Sequence, residues 1–130
     1  MNEKSRVYVS LPVDMLTREQ MEKLQAEVAG VLDPATQEPV FNRCAYDAPE
    51  DEPLGLWWHL SEAMLRLGKC DTAIFSPGWN RWPGWICFVE QETALRSGKR
   101  CLYTYRDSSG TLRLLEMGHC GGPEIIGEEE

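Results

Sequence analysis

The chain has 130 residues, 42% hydrophobic and 26% charged, the balance of one folded domain with a continuous core rather than of a disordered segment. Its 13 Lys and Arg against 21 Asp and Glu leave a formal net charge of −8. That excludes nucleic acid as the partner, because phosphate backbones need clustered cations and those at Arg96, Arg100, Arg106 and Arg113 are too sparse. A small neutral or cationic ligand, or one gripped by backbone N–H groups, suits this charge better.

No apolar run approaches the roughly 20 residues that span a bilayer, so no membrane partner is expected. The opening MNEKSRVYVSLP has no long apolar stretch or small-residue cleavage site, and so does not read as a signal peptide. The five cysteines (Cys44, Cys70, Cys87, Cys101 and Cys120) are odd in number and show no C-x-x-C spacing. They read as buried free thiols of a cytoplasmic protein. The adjacent His119 and Cys120 make a poor chelate, so neither a metal nor a cofactor is expected.

In chain order, Arg6–Pro12 is β-branched and aromatic with a proline stop, and predicts a buried first strand. Thr17 and Gln20 form a capping box for an amphipathic helix over 18–32, ended by Asp33-Pro34. A short strand over 38–41 follows. Residues 42–53 are polar, acidic and proline-bearing, a loop in which Glu50, Asp51 and Glu52 read as solvated surface. Helical spacing resumes over 54–68 through Leu56, Leu60, Ala63, Met64 and Leu67, with Gly68 as the stop. His59, beside Trp57 and Trp58, reads as a packing or surface histidine rather than a general base.

Residues 71–76 predict the next strand, followed by the loop PGWNRWPGW and a helix over 85–97 closed by Gly98. Residues 100–105 form another strand, DSSG at 107–110 a turn, and 111–117 a hairpin or edge strand. One domain over 1–117 and a glycine-rich acidic tail over 118–130 is the economical division. Strands alternating with helices predict an α/β fold, a three-layer Rossmann- or flavodoxin-like arrangement with a mostly parallel sheet of four or five strands and helices on both faces. Such folds bind ligands at the carboxyl ends of the strands. That rim is expected to hold Ser10-Leu11-Pro12, the 42–53 loop, and the loop with Gly78, Trp79, Asn80, Trp82 and Gly84.

One carboxylate breaks the apolar pattern of the 85–97 helix. Ile86, Val89, Glu90, Thr93, Ala94 and Ser97 share a face that is otherwise apolar or small. Glu92 has Arg96 four residues on and is explained by a surface ion pair. Glu90 has no such partner, and a carboxylate on a packing face costs free energy unless it is hydrogen-bonded or lines a cavity. It is either a buried carboxylate satisfied by N–H groups of the preceding loop, or a nucleophile or general base.

The order YVS-L-P, then CDTAIFSPGWN, then Glu90-x-x-x-Ala94-x-x-x-Gly98-Lys99, resembles the nucleoside 2-deoxyribosyltransferase superfamily, and within it a branch of small proteins with a PGW loop. The likeness covers roughly residues 6–106. It implies that Glu90 attacks the anomeric carbon of a nucleoside or nucleotide to give a glycosyl-enzyme intermediate, that Tyr8 orients Glu90, and that Asp71 joins the catalytic set. It also implies substrate contacts from Ser10, Pro12, Gly78, Trp79, Asn80, Trp82 and Gly84, and a homo-oligomer whose subunits complete one another's sites. Tryptophans there suit a planar base, each stack being worth roughly 1–3 kcal/mol. The chain departs from the family at Leu11-Pro12, where relatives usually carry Gly-Pro, and at Trp82-Pro83-Gly84-Trp85, where they usually carry Asp, Gly and Thr. A non-catalytic nucleotide-binding module and an assembly protein are the alternative readings.

Overall fold

A computed structural model describes residues 4–42, 55–81 and 84–116. Strand β1 (Ser5–Ser10) is followed by helix α1 (Arg18–Ala29), strand β2 (Gln37–Val40) and helix α2 (Gly55–Gly68). Strand β3 (Thr72–Phe75), helix α3 (Ile86–Arg96), strand β4 (Arg100–Arg106) and strand β5 (Leu112–Glu116) complete the chain. Each predicted element is present, with its ends displaced by at most three residues.

The start of α1 is set by the expected capping box. The Thr17 hydroxyl accepts from the Gln20 N–H at 3.1 Å, and the Gln20 side chain accepts from the Thr17 N–H at 3.0 Å. The helix stops at Gly30 instead of running to residue 32. Turn-type bonds carry the chain on, Val31 N–H to the Val28 carbonyl and Leu32 N–H to the Ala29 carbonyl, so Leu32 is still buried. Replacing Thr17 with alanine is expected to cost about 1 kcal/mol, read as a lower urea midpoint at unchanged slope.

The five strands form one sheet in the order β2-β1-β3-β4-β5, with β5 antiparallel to β4 and the other neighbours parallel. Strand β5 therefore lies at an edge as the return arm of a hairpin. Its turn is knotted by Asp107, whose carboxylate accepts from the Ser109 and Thr111 N–H groups and from Arg113. At the other edge, the Ser5 N–H bonds to the Thr36 carbonyl, so alternation along β2 turns the backbone of Pro39 outward.

Both sides of β1 are buried. Val7 and Val9 belong to one apolar cluster with Met21 and Val28 of α1 and with Ile74 of β3. Tyr8 belongs to another with Ala63 and Leu67 of α2, Ala94 of α3, and Ala73 and Phe75 of β3. This accounts for the near-continuous apolar run RVYVS, which a strand with one wet face would not show. Ser10 shares the side of Tyr8, because side chains alternate along a strand. The alanines at 63, 73 and 94 are completely buried and leave room for polar side chains nearby. Among the described residues no helix is long and apolar enough to cross a membrane.

Candidate functional site

Glu90 and His59 are each the fifth residue of their helices, Ile86–Arg96 and Gly55–Gly68. A helix that follows a strand in a parallel sheet starts at the strand's carboxyl end, so both side chains lie one turn in from that rim. Ser10, the last residue of β1, is at the same level. Four polar side chains from three elements meet there, together with Asn42, the second residue after β2.

Glu90 is 0% exposed. Its Oε2 accepts from the Tyr8 hydroxyl at 2.7 Å, and its Oε1 accepts from the Ser10 hydroxyl at 2.6 Å. His59 Nε2 stands 3.3 Å from Oε2. Asn42, just past β2, donates from Nδ2 to the Tyr8 oxygen at 3.3 Å and to the His59 carbonyl at 2.8 Å, tying strand and helix together. Burying a carboxylate is expensive without donors of this kind, and short hydroxyl–carboxylate bonds offset much of that cost. Among the described residues, Glu90 is held by side chains of other elements and not by N–H groups of the loop before its helix.

The environment acts on its neighbours. Burial, and after it the negative charge of Glu90, pushes the Tyr8 phenol well above its ordinary range, so Tyr8 stays a donor. Burial and then Glu90 act the same way on Cys87, whose Sγ lies 3.3 Å from the Ser10 hydroxyl. A thiol held protonated is a poor nucleophile. Cys87 is expected to resist iodoacetamide in the native protein and to label only after denaturation, as read by peptide mass spectrometry. Cys70 and Cys101 are also buried free thiols, whereas Cys44 and Cys120 lie outside the described residues.

The helix face predicted from sequence is present, with Ile86, Glu90 and Ala94 buried, although Ser97 is exposed. Glu92 pairs with Arg96 at 2.6 Å, as its spacing implied. Tyr8, Ser10 and Glu90 come together. Asp71 does not join them: it precedes β3 and accepts from the Ser5 and Thr72 hydroxyls, which hold its carboxyl below the ordinary range. Ser5 opens β1 and Ser10 closes it, a separation of roughly 16 Å along an extended strand.

The tryptophan loop divides. Trp79 is half-buried in an aromatic cluster, its ring 6.2 Å from Phe75, 5.0 Å from Tyr103 and 5.8 Å from Phe88. Gly78 has φ +91, a left-handed conformation that suits glycine, and Asn80 is exposed. A Cβ on Gly84 would stand 2.8 Å from Met15 Cγ, so Gly84 brings this loop close against the segment after β1. In that segment Pro12 is buried and its carbonyl accepts from the Met15 N–H. Asp14 Oδ2 accepts from the Trp85 N–H at 2.8 Å and, more distantly, from that of Ile86, capping α3 from outside the helix. Trp82 and the acidic loop from 43 to 53 lie outside the described residues, as does the tail from 118 to 130.

His59 and Asn42 are the members that the sequence reading missed. A signal for His59 was available: residues 59, 63 and 67 are spaced by four, and Ala63 and Leu67 are core residues. Asn42 follows a strand and precedes an aperiodic stretch, and nothing in its neighbourhood marks it. Among the described residues no group of three or more His, Cys, Asp or Glu side chains is placed to hold a metal ion. Comparison of the chain with family models, with curated proteins and with solved structures gives no match.

Proposed function

We propose that the Glu90 cluster is the catalytic centre of an N-glycosidase or deoxyribosyltransferase-like enzyme that cleaves the bond between base and sugar in a nucleoside or nucleotide. The observation that carries this reading is a wholly buried carboxylate held by two hydroxyls of β1, with an imidazole against the same oxygen that Tyr8 binds. A glycosidic carbon of oxocarbenium character needs an anionic carboxylate on one side and a proton for the leaving base on the other. Glu90 supplies the first. Tyr8 and Ser10 fix its orientation, and the displacement calls for no cofactor.

The likeness to the deoxyribosyltransferases over residues 6–106 supports the same chemistry, and the strand order and the two clusters flanking β1 support a three-layer, flavodoxin-like arrangement with the site at its carboxyl-end rim. Assembly into a homo-oligomer belongs to this reading. Exposed Trp57, Trp58 and Phe88 on α2 and α3 are the surface that suits it.

The test is release of free base from a panel of ribo- and deoxyribonucleosides and their 5′-monophosphates, followed by chromatography. A panel that yields no free base and no exchanged nucleoside removes the enzymatic reading. A second reading, a nucleoside-binding module without turnover, draws on the complete burial of Glu90 with both of its oxygens engaged. Its mark is a rise in melting temperature with one panel member and no product.

A further inference from the structure

The nucleophile reading leaves one chemical demand unmet. The base departs with the electron pair of the broken C–N bond and needs a proton, yet Asp71 stands at the other end of β1. Asp14, whose Oδ1 is unpartnered among the described residues, is tied through Oδ2 to the N–H groups that open α3 and makes no hydrogen bond with Glu90. The Tyr8 and Cys87 protons are held tightly by burial and by Glu90. Among the described residues His59 remains. Its side chain is 2% exposed, one nitrogen lies 3.3 Å from Glu90, and the other, Nδ1, is buried without a hydrogen-bond partner among those residues.

An unsatisfied nitrogen in a fully buried ring carries an uncompensated desolvation cost, and such groups in native proteins call for an explanation. No protonation state removes the problem here. With hydrogen on Nε2 alone, Nδ1 is an acceptor without a donor; with hydrogen on Nδ1, alone or together with Nε2, it is a donor without an acceptor. A substrate base, whose ring nitrogens and carbonyls accept hydrogen bonds, satisfies the second state.

Resting on the assignment of Glu90 as nucleophile, we infer that His59 is the general acid of the reaction, delivering its Nδ1 proton to the departing base. In the first step a Glu90 oxygen bonds to the anomeric carbon as the C–N bond breaks. The electron pair of that bond passes into the base, which takes the proton from Nδ1 and leaves neutral. His59 is left with its remaining hydrogen on Nε2, facing Glu90. In the second step Nδ1 takes a proton from water, the oxygen of that water bonds to the anomeric carbon, and Glu90 leaves as the carboxylate. Each step balances in atoms and charge.

The pairing of the two residues gives the proton its timing. As Glu90 becomes an ester its negative charge is consumed, so the attraction it exerts on a proton of the neighbouring imidazole, 3.3 Å away, falls away as the base acquires charge. Glu90 from α3 meets the imidazole at Nε2 and binds the Tyr8 hydroxyl of β1 through the same oxygen, while Asn42, which is neutral, donates to the His59 backbone carbonyl. Glu90 is thus the one anion in contact with it among the described residues.

The test compares two leaving groups. An ordinary purine nucleoside needs a proton on its base; a 7-methylpurine nucleoside already carries the positive charge and releases a neutral base unaided. For His59→Gln and His59→Asn, with folding checked by circular dichroism, kcat on the ordinary nucleoside is expected to fall about 10²–10⁴-fold. On the methylated one it is expected to stay within about tenfold of the unsubstituted protein. Equal losses on both substrates, or no loss on either, overturn the assignment. In the unsubstituted protein, kcat on the ordinary nucleoside is expected to decline toward high pH without a matching decline on the methylated one. Identical profiles overturn the assignment even where neither variant folds. Glu90→Gln is expected to suppress both substrates; if it suppresses neither, the nucleophile reading itself is wrong, a failure distinguishable from that of His59.

Discussion

Replacing Glu90 with glutamine is expected to lower base release by on the order of 10³–10⁶-fold while leaving the melting temperature unchanged or higher. The two halves of that result have separate causes. Glutamine keeps the shape of the side chain and an acceptor oxygen but has no negative charge with which to attack an anomeric carbon. The stability term is a near-cancellation. The amide group turns one acceptor into a donor, so either Tyr8 or Ser10 must reorient its hydroxyl, at a cost of about 1–3 kcal/mol. Against this, a charge no longer has to be held out of water at a site with 0% exposure. Rates by chromatography and melting by circular dichroism on the same preparation check both halves. A variant that keeps its rate, or that unfolds outright, contradicts the expectation.

Tyr8→Phe is expected to behave in the opposite way, with stability as its main loss. The phenol oxygen donates to Glu90 and accepts from Asn42, so its removal takes a donor from a buried carboxylate and an acceptor from the Asn42 amide. A hydrogen bond to a charged buried group is worth about 1.5–3 kcal/mol. For a chain of this length that corresponds to a fall in melting temperature of roughly 5–10 °C. Adding Glu90→Gln to Tyr8→Phe should recover part of the loss, because the stranded charge is gone; a double-mutant cycle reads that coupling. Additive effects would show that Tyr8 and Glu90 do not depend on each other.

The sequence made the scaffold easier to read than the site, and particular residues show why. The start of α1 could be placed from Thr17 and Gln20 alone, because capping is local chemistry between residues three apart. Glu90 stood out because one helix face was otherwise apolar. Its partners were another matter. Ser10 and His59 reach it from positions 80 and 31 residues away in the chain, and Asn42, 48 residues away, acts on it through Tyr8, distances across which hydropathy periodicity carries no information. His59 was further disguised by Trp57 and Trp58. Those tryptophans are 61% and 50% exposed, while the histidine beside them is the residue that is covered. Asp71 misled in the other direction: as the first residue of its predicted strand it belongs at the sheet's amino end, away from the rim, and only the family resemblance put it in the catalytic set.

The outward turn of Pro39 bears on how this protein can meet other chains. An open sheet ends in a row of backbone groups that can accept a strand from another molecule. At Pro39 that row has no N–H to offer, and a pyrrolidine ring stands where an incoming strand would dock. Copies of this chain are therefore kept from fusing their sheets along β2 into a continuous, self-propagating ladder. In the homo-oligomer proposed above, contact would fall instead on side-chain surfaces, where exposed aromatic residues such as Trp57 and Phe88 can be matched and parted without exchange of backbone hydrogen bonds.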